Sequence, residues 1–420
     1  MSLHLTSKRF FNCESEMADP VTSPEWFKDQ VIFLTGATGN LGGCLLYKLA
    51  VKLPTKKIYV LCREGMRNAM SKWETSMPEQ IDDVLDTGKL QCLTGDITHP
   101  NLGLGAAELE SLRKDVTVVI HSAASFSLFQ DIADSLRDNC VPVVALARLS
   151  FSFQRLKAFL HISTISTRSF LPGGTILENA EKLSPDEDAP EKQLEDILRT
   201  GKSPYTQRFI APYGQSKYLA EQILLSLKTP FPILIVRPSN IGPAILEPYP
   251  FYGPDGAIPL HTFFELLFEA SERRKFNDLV SLPQDIIIDE IPVDLVANVC
   301  LIHLTIGSTG IVQAGSQLYV PVTSGEYISQ IQKHAPPALV EKAGRIRVEK
   351  NVHFAKQAND MIQHITREWW IDCERSKAFK SMEGAIGLTI PGHVFEVFFQ
   401  QRIAKRARKV EKWIDGLNSR

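Results

Sequence analysis

The segment Gln30-Val-Ile-Phe-Leu-Thr-Gly-Ala-Thr-Gly-Asn-Leu-Gly-Gly43 constrains this chain more than any other. A largely apolar, strand-type run ends in Gly36, Gly39 and Gly42, spaced G-x-x-G-x-x-G, and a helical pattern follows over residues 41–51. Such a turn lets the backbone approach a pyrophosphate, while the helix N-terminus supplies N–H donors and a positive dipole end. A lone glycine triplet is a weak signal, and a plain tight turn is its bland reading. The strand before it and the helix after it favour a phosphate-binding turn. Gly36, Thr38, Gly39, Asn40, Leu41 and Gly42 are therefore candidate cofactor contacts.

The alternation continues along the chain. Strand-type runs at 57–62, 90–94, 116–121, 158–163 and 232–237 are separated by helical patterns, among them 216–227. This predicts an α/β fold, a Rossmann-type doubly wound parallel sheet with a smaller, mainly helical C-terminal lobe on the substrate side. Ligands in such sheets sit at the carboxyl ends of the strands. The expected organisation is a polar tail over 1–28 and a dinucleotide-binding domain over 29–245, to which 286–315 returns. Residues 246–285 and 316–420 form the substrate-side and C-terminal helical lobe. The polar stretch between Thr167 and Tyr213, with Pro185-Asp-Glu-Asp-Ala-Pro190, reads as a partly helical excursion beside the site.

The end of the second strand bears on the cofactor. Asp or Glu at this place would bind a ribose 2′-hydroxyl, whereas Arg63 is positioned for a 2′-phosphate and favours NADP(H). Glu64, next in sequence, leaves NAD as the alternative. Asp96 and Ile97 follow the third strand and are placed for the adenine edge; Ser122 and Ala123 follow the fourth and leave room for the dinucleotide.

Tyr213 and Lys217 lie four residues apart in Tyr-Gly-Gln-Ser-Lys, hence on one helix face. A neighbouring ammonium is expected to lower the tyrosine pKa from about 10 toward neutrality, making the phenol a proton donor for carbonyl reduction. Alone, the pair has a bland reading as two solvent-facing helix residues. Thr164, or failing it Ser163, ends a buried strand with a hydroxyl that can donate to a developing oxyanion.

These motifs together resemble the extended short-chain dehydrogenase/reductase superfamily. Gly95-Asp-Ile-Thr-His-Pro-Asn-Leu-Gly-Leu104, Val119-Ile-His-Ser-Ala-Ala124, His161-Ile-Ser-Thr164 and Arg237-Pro-Ser-Asn-Ile-Gly-Pro243 are similar to the fatty acyl-CoA reductases of the male sterility type. The thioester reductase domains of carboxylic acid, aminoadipate and nonribosomal-peptide enzymes are close relatives of these. The resemblance spans roughly residues 24–310, and Asn139-Cys-Val-Pro142 departs from it where relatives have Asn-x-x-Gly. It implies reduction of an acyl thioester, on coenzyme A or an acyl carrier protein, by NADPH. In that scheme Thr164 and Tyr213 hold the carbonyl oxygen, Tyr213 gives the proton, and Lys217 binds the nicotinamide ribose. Pro238 contacts the cofactor, and the product is an aldehyde with the alcohol as a further step. An epimerase, dehydratase or ketone reductase acting on a small metabolite is the alternative, as is a non-catalytic NADP-binding scaffold.

The remaining features narrow the setting. A net charge of −2 argues against nucleic acid as a partner. Seven scattered cysteines without a C-x-x-C pair read as reduced core thiols of a cytoplasmic protein, and the histidines show no metal spacing. No uncharged run reaches the roughly 18 residues of a membrane span; 286–306 comes nearest but holds Asp289, Glu290 and Asp294. The terminal helix, 393–417, carries Phe399, Ile403, Val410, Trp413 and Ile414 on one stripe. Its basic run is Arg402, Lys405, Arg406, Arg408, Lys409 and Lys412. It reads as a docked helix with a solvated basic face, for which peripheral membrane contact is the other option. Phe126, Phe129, Phe151, Phe153, Phe170, Phe263, Phe264 and Phe268 line an acyl tunnel or belong to ordinary core.

Overall fold

The computed structural model describes residues 23–127, 130–254, 256, 258–261, 285–334 and 367–418. Among these residues, seven parallel strands form the central sheet. They are β1 (Val31–Thr35), β2 (Lys57–Cys62), β3 (Leu90–Thr94), β4 (Val118–His121), β5 (Ala158–Ile162), β7 (Ile233–Pro238) and β11 (Gly310–Ala314), where β6 and β8–β10 are the short strands defined below. Their spatial order is β11-β7-β5-β4-β1-β2-β3. β1, β4, β5 and β7 are buried along their whole length, as strands covered on both faces must be, which is why they read as apolar runs instead of alternating ones. The expected runs at 31–35, 57–62 and 90–94 match the strands; the others shift by one or two residues at their ends. β11 is a strand the periodicity did not reveal.

One face of the sheet is covered by α1 (Asn40–Tyr47), which runs on as a π-helical turn to Lys52, by α2 (Gly65–Ser76) and α3 (Gln80–Asp86), and by the helix Val293–Thr305. The other face carries α4 (Ala106–Asp115), α5 (Ile132–Asn139), α6 (Val141–Leu149) and α8 (Pro212–Ser226). α7 (Pro190–Thr200) and the short strand β6 (Gly174–Ile176) lie in the polar excursion between β5 and α8. The stretch weighed as a membrane span, 286–306, divides into two short strands (Ile287–Ile288 and Glu290–Pro292) and the buried helix Val293–Thr305, and no helix among the described residues is long and apolar enough to cross a membrane.

Short strands anchor the later chain to the carboxyl side of the sheet. β8 (Asn240–Gly242) pairs in parallel with β10 (Glu290–Pro292), and β9 (Ile287–Ile288) runs antiparallel to β12 (Val322–Thr323). β6 takes β13 (Trp369–Ile371) alongside it. Buried Asp294 accepts backbone N–H groups from Ile245, Leu246 and Glu247 at 2.8 to 3.2 Å, and Glu247 pairs with buried Lys48 of the α1 extension. Together they clamp the 245–252 loop against α1, where Tyr252 donates to the Asn40 carbonyl at 3.0 Å.

Two expectations change. Residues 24–29, read mostly as tail, form a 3-10 turn whose Phe27 is fully buried; an aromatic flanked by polar residues reached the core because the turn lays it on the sheet's helices. The terminal helix, Phe395–Asn418, keeps Lys405, Arg408, Lys409 and Lys412 exposed, as a docked helix with a solvated basic face should, but turns Arg402 and Arg406 inward. Arg402 makes a two-point pair with Glu290 and donates to His261 at 3.0 Å. The side chains of Val410, Trp413 and Ile414 lie outside the described residues, as do Cys13, Phe129, Phe263, Phe264 and Phe268.

Candidate active site

The strand order reverses between β1 and β4, and a crevice opens there at the carboxyl ends of the strands. The turn from β1 to α1 closes with the Gly39 N–H donating to Gly36 O at 2.9 Å. A Cβ on Gly42 would run into the Gly36 carbonyl, so this position admits no side chain while the turn keeps its shape. The crevice continues as a cavity of about 490 Å³ that Gly36, Thr38, Arg63, Asp96, Ile97 and Ala123 help to line. Burial opposes the Asp96 carboxylate, but Thr98 N–H and hydroxyl, both at 2.8 Å, and the charge of Arg63 outweigh it and hold the group below the usual carboxylate range. Glu64 accepts from Asn68 at 2.9 Å and is not part of the wall, whereas Lys72 is. Sequence reasoning passed over Asn68 and Lys72; their spacing of four on the helix after Arg63 is the signal that could have found them.

A second cavity of about 500 Å³ shares Gly39, Ser122 and Ala124 with the first, so the two form one cleft. Asn40, Leu41, Gly42, Thr164, Tyr213, Lys217 and Pro238 all line this half. Every sequence-derived site residue therefore falls on one continuous surface. Both amide atoms of Asn40 are buried there without a hydrogen-bond partner among the described residues.

Tyr213 stands in the first turn of α8, after Pro212. Burial raises its phenol above the usual range, opposite to the expected acidification. The physical reason is that Lys217 directs its ammonium to Ile162 O, 2.9 Å away, while the ring is removed from water. Burial also pushes Lys217 down to about 8, against the opposing pull of Glu221. Of the two candidate hydroxyls, Ser163 donates to Glu221 at 2.5 Å. Thr164 caps the following turn, Ile165–Arg168, accepting from Ser166 N–H at 3.2 Å, and keeps its place on the cavity wall. Phe126, 63% exposed, sets its ring edge-on to Tyr213 with centroids 5.1 Å apart at the mouth. Phe153 is core, and Phe170 packs against Phe209 and Tyr218 away from the cavity.

Asn139, in the segment that departs from the family pattern at Pro142, has a defined place. Its amide accepts from Ser125 N–H at 2.9 Å and donates to Ser125 O at 3.1 Å, pinning the chain that leaves Ser122-Ala-Ala124. Pro142 is absorbed at the start of α6, where its missing N–H costs nothing. His121 is buried, bonded to the Thr35 hydroxyl at 2.8 Å and stacked on His161.

An NAD-binding family model described as male sterility protein matches residues 34–300. A putative fatty acyl-CoA reductase of Drosophila melanogaster is 28% identical over 302 residues, covering 67% of this chain and 55% of that protein. Fatty acyl-CoA reductase 1 of Homo sapiens is 26% identical over 304 residues, with the same coverages of 67% and 55%. The chain thus spans about half the length of these curated relatives. Among solved structures, the terminal R domain from the myxalamid PKS-NRPS biosynthetic pathway superposes with a TM-score of 0.62 at 18% identity, covering 90% of each chain. The reductase (R) domain of a nonribosomal peptide synthetase from Mycobacterium tuberculosis gives 0.60 at 17%, covering 93% of each. These two likenesses establish a shared fold.

Proposed function

The chain belongs to the male sterility protein family of NAD-binding proteins, and from that premise we propose that it is an NADPH-dependent reductase of acyl thioesters. The observation that carries the reading is the placing of Tyr213, Lys217 and Thr164 on the wall of a cavity that opens directly into the dinucleotide crevice. The residues suit the cofactor: Gly42 leaves the turn bare for a pyrophosphate, Asp96 and Ile97 face the adenine end, and Ser122, Ala123 and Pro238 flank the path. Arg63 and Lys72 give the ribose end two cations while Glu64 is engaged by Asn68, which favours a 2′-phosphate.

A bound NADPH supplies the hydride that reduces the thioester carbonyl carbon. Tyr213 and Thr164 line the same cavity, and in this scheme their hydroxyls take the oxygen as it gains negative charge. Tyr213, kept protonated by burial, gives that oxygen its proton. Lys217 holds the nicotinamide ribose and steadies the phenol. Collapse of the hemithioacetal breaks the C–S bond, so that thioester, NADPH and a proton become aldehyde, thiol and NADP+. Phe126 at the mouth shields the reacting carbonyl from water. The thiol carrier is coenzyme A or an acyl carrier protein, and reduction of the aldehyde to an alcohol by a second NADPH belongs to the same proposal. So do a cytoplasmic setting and the division into a cofactor part (29–245 with 286–315) and a substrate-side part (246–285 with 316–420).

The test is product analysis by mass spectrometry after incubation with NADPH and a panel of acyl-CoA and acyl-carrier thioesters. Aldehyde or alcohol should form with the native chain. Tyr213→Phe should lower kcat by roughly 10²- to 10⁴-fold while NADPH still binds; turnover unchanged in this variant would rule the mechanism out.

A further inference from the structure

Glu221 lies one helical turn beyond Lys217 on α8 and is fully buried together with Arg237 of β7. Arg237 grips it at two points, Nε to Oε1 at 2.8 Å and Nη2 to Oε2 at 2.5 Å. Oε1 also accepts the Ser163 hydroxyl. Lys217, on the same helix face, donates to Ile162 O. Helix α8 thus holds two successive residues at the end of β5, immediately before Thr164. The bracing continues beyond Thr164: Arg237 Nη1 donates to the Asn179 carbonyl at 3.0 Å, and Arg168, in the turn after Thr164, donates to the same oxygen.

A buried ion pair is poor evidence of stabilisation, because desolvation offsets most of the attraction. Its geometry is the better guide. Accepting the reductase reading of the cavity, we propose that Glu221 is a positioning residue for Tyr213, Lys217 and Thr164. Through Arg237 and Ser163 it fixes the Lys217 ammonium and the Thr164 hydroxyl in one frame, and its carboxylate balances the ammonium's charge. The groups around Lys217 are Tyr213 and Glu221 on its own helix, Cys140 between α5 and α6, and His121 and His161 on β4 and β5, with Arg237 and Arg168 behind the carboxylate. Burial keeps both imidazoles neutral and pushes the Cys140 thiol up to about 12, so Glu221 is the anion of this group. Burial sets Lys217 near 8 with Glu221 working against the fall. Without that carboxylate the ammonium gives up its proton at lower pH.

The test follows NADPH binding by fluorescence between about pH 6 and 10, with no acyl substrate present. It compares the full chain with Glu221→Gln, Ser163→Ala and the double variant Glu221→Gln/Arg237→Met. In the native chain affinity should weaken as pH rises through about 8. In Glu221→Gln the same limb should move down by about one pH unit, a tenfold change in the protonation equilibrium. With thioester added, the alkaline limb of kcat should move with it. Ser163→Ala keeps every charge, so it should lower kcat and leave the limb in place. Where Glu221→Gln alone does not fold, the double variant, which leaves no unpaired guanidinium at position 237, carries the comparison. Superimposable pH limbs for native and Glu221-substituted chains overturn the inference. A chain that binds NADPH with the shifted limb yet reduces no thioester upholds it and defeats the substrate reading instead.

Discussion

Burial holds the Tyr213 phenol above its usual range, so it stays protonated across the neutral range, suited to donating and not to abstracting a proton. Lys217 is the residue whose state varies near physiological pH. At the other end of the cleft Arg63 and Lys72 are the cations a 2′-phosphate would meet. Arg63→Ala or Lys72→Ala should raise KM for NADPH roughly tenfold to a hundredfold, the worth of one charge-assisted hydrogen bond, and leave KM for NADH unchanged. Steady-state kinetics with both cofactors decides this; equal effects on the two would return the choice to Glu64 and NAD. Arg63 was legible because it ends a strand. Lys72 was not, since a lysine nine residues on in a polar helix looks like any solvated charge until the helix is laid against β2 and β3.

Two elements are placed by close contacts with distant segments. Helix α8 crosses the turn after Thr164 at Gly214, where an added Cβ would stand 2.6 Å from Ser166 O. Gly214→Ala must push the helix away from the turn, separating Tyr213 from Thr164. A loss in kcat of up to about 10²-fold is expected, with the fold retained on circular dichroism. Undiminished kcat would show that the close approach is not needed. The terminal helix is held by the two-point contact of Arg402 with part-buried Glu290, the first residue of β10. Arg402→Ala leaves that carboxylate without its cation and should destabilise the chain by roughly 3–5 kcal/mol in urea denaturation; a cost under about 1 kcal/mol would make this an ordinary surface pair. The basic run of this helix read as solvated because its heptad-like pattern of cations carries no sign of which ones turn inward. That depends on Glu290, more than a hundred residues earlier.

At the scale of the whole molecule, several histidines are buried neutral between the sheet and its layers. His121 titrates near 3 and His303 near 4 in the fold against 6.5 in an ordinary setting, burial being the main cause in both. The unfolded chain therefore binds more protons between those limits, so stability is complete above about 6.5 and falls with pH toward 3–4, by up to ~1.4 kcal/mol per pH unit for each histidine. Thermal melts should show a lower Tm at pH 5 than at pH 7; an unchanged Tm would mean that neither histidine stays neutral in the fold. The amino-acid order by itself determined the parallel sheet, the phosphate turn at Gly36–Gly42 and the Tyr213/Lys217 face, because each is a local pattern of apolar runs, turn residues or helical spacing. Only the tertiary structure decided that Ser163, on the cavity wall beside Thr164, donates its hydroxyl to Glu221, that Asn139 holds Ser125, and that β11 joins the sheet. These depend on which distant segments meet, and on the desolvation that meeting imposes, which no local pattern records.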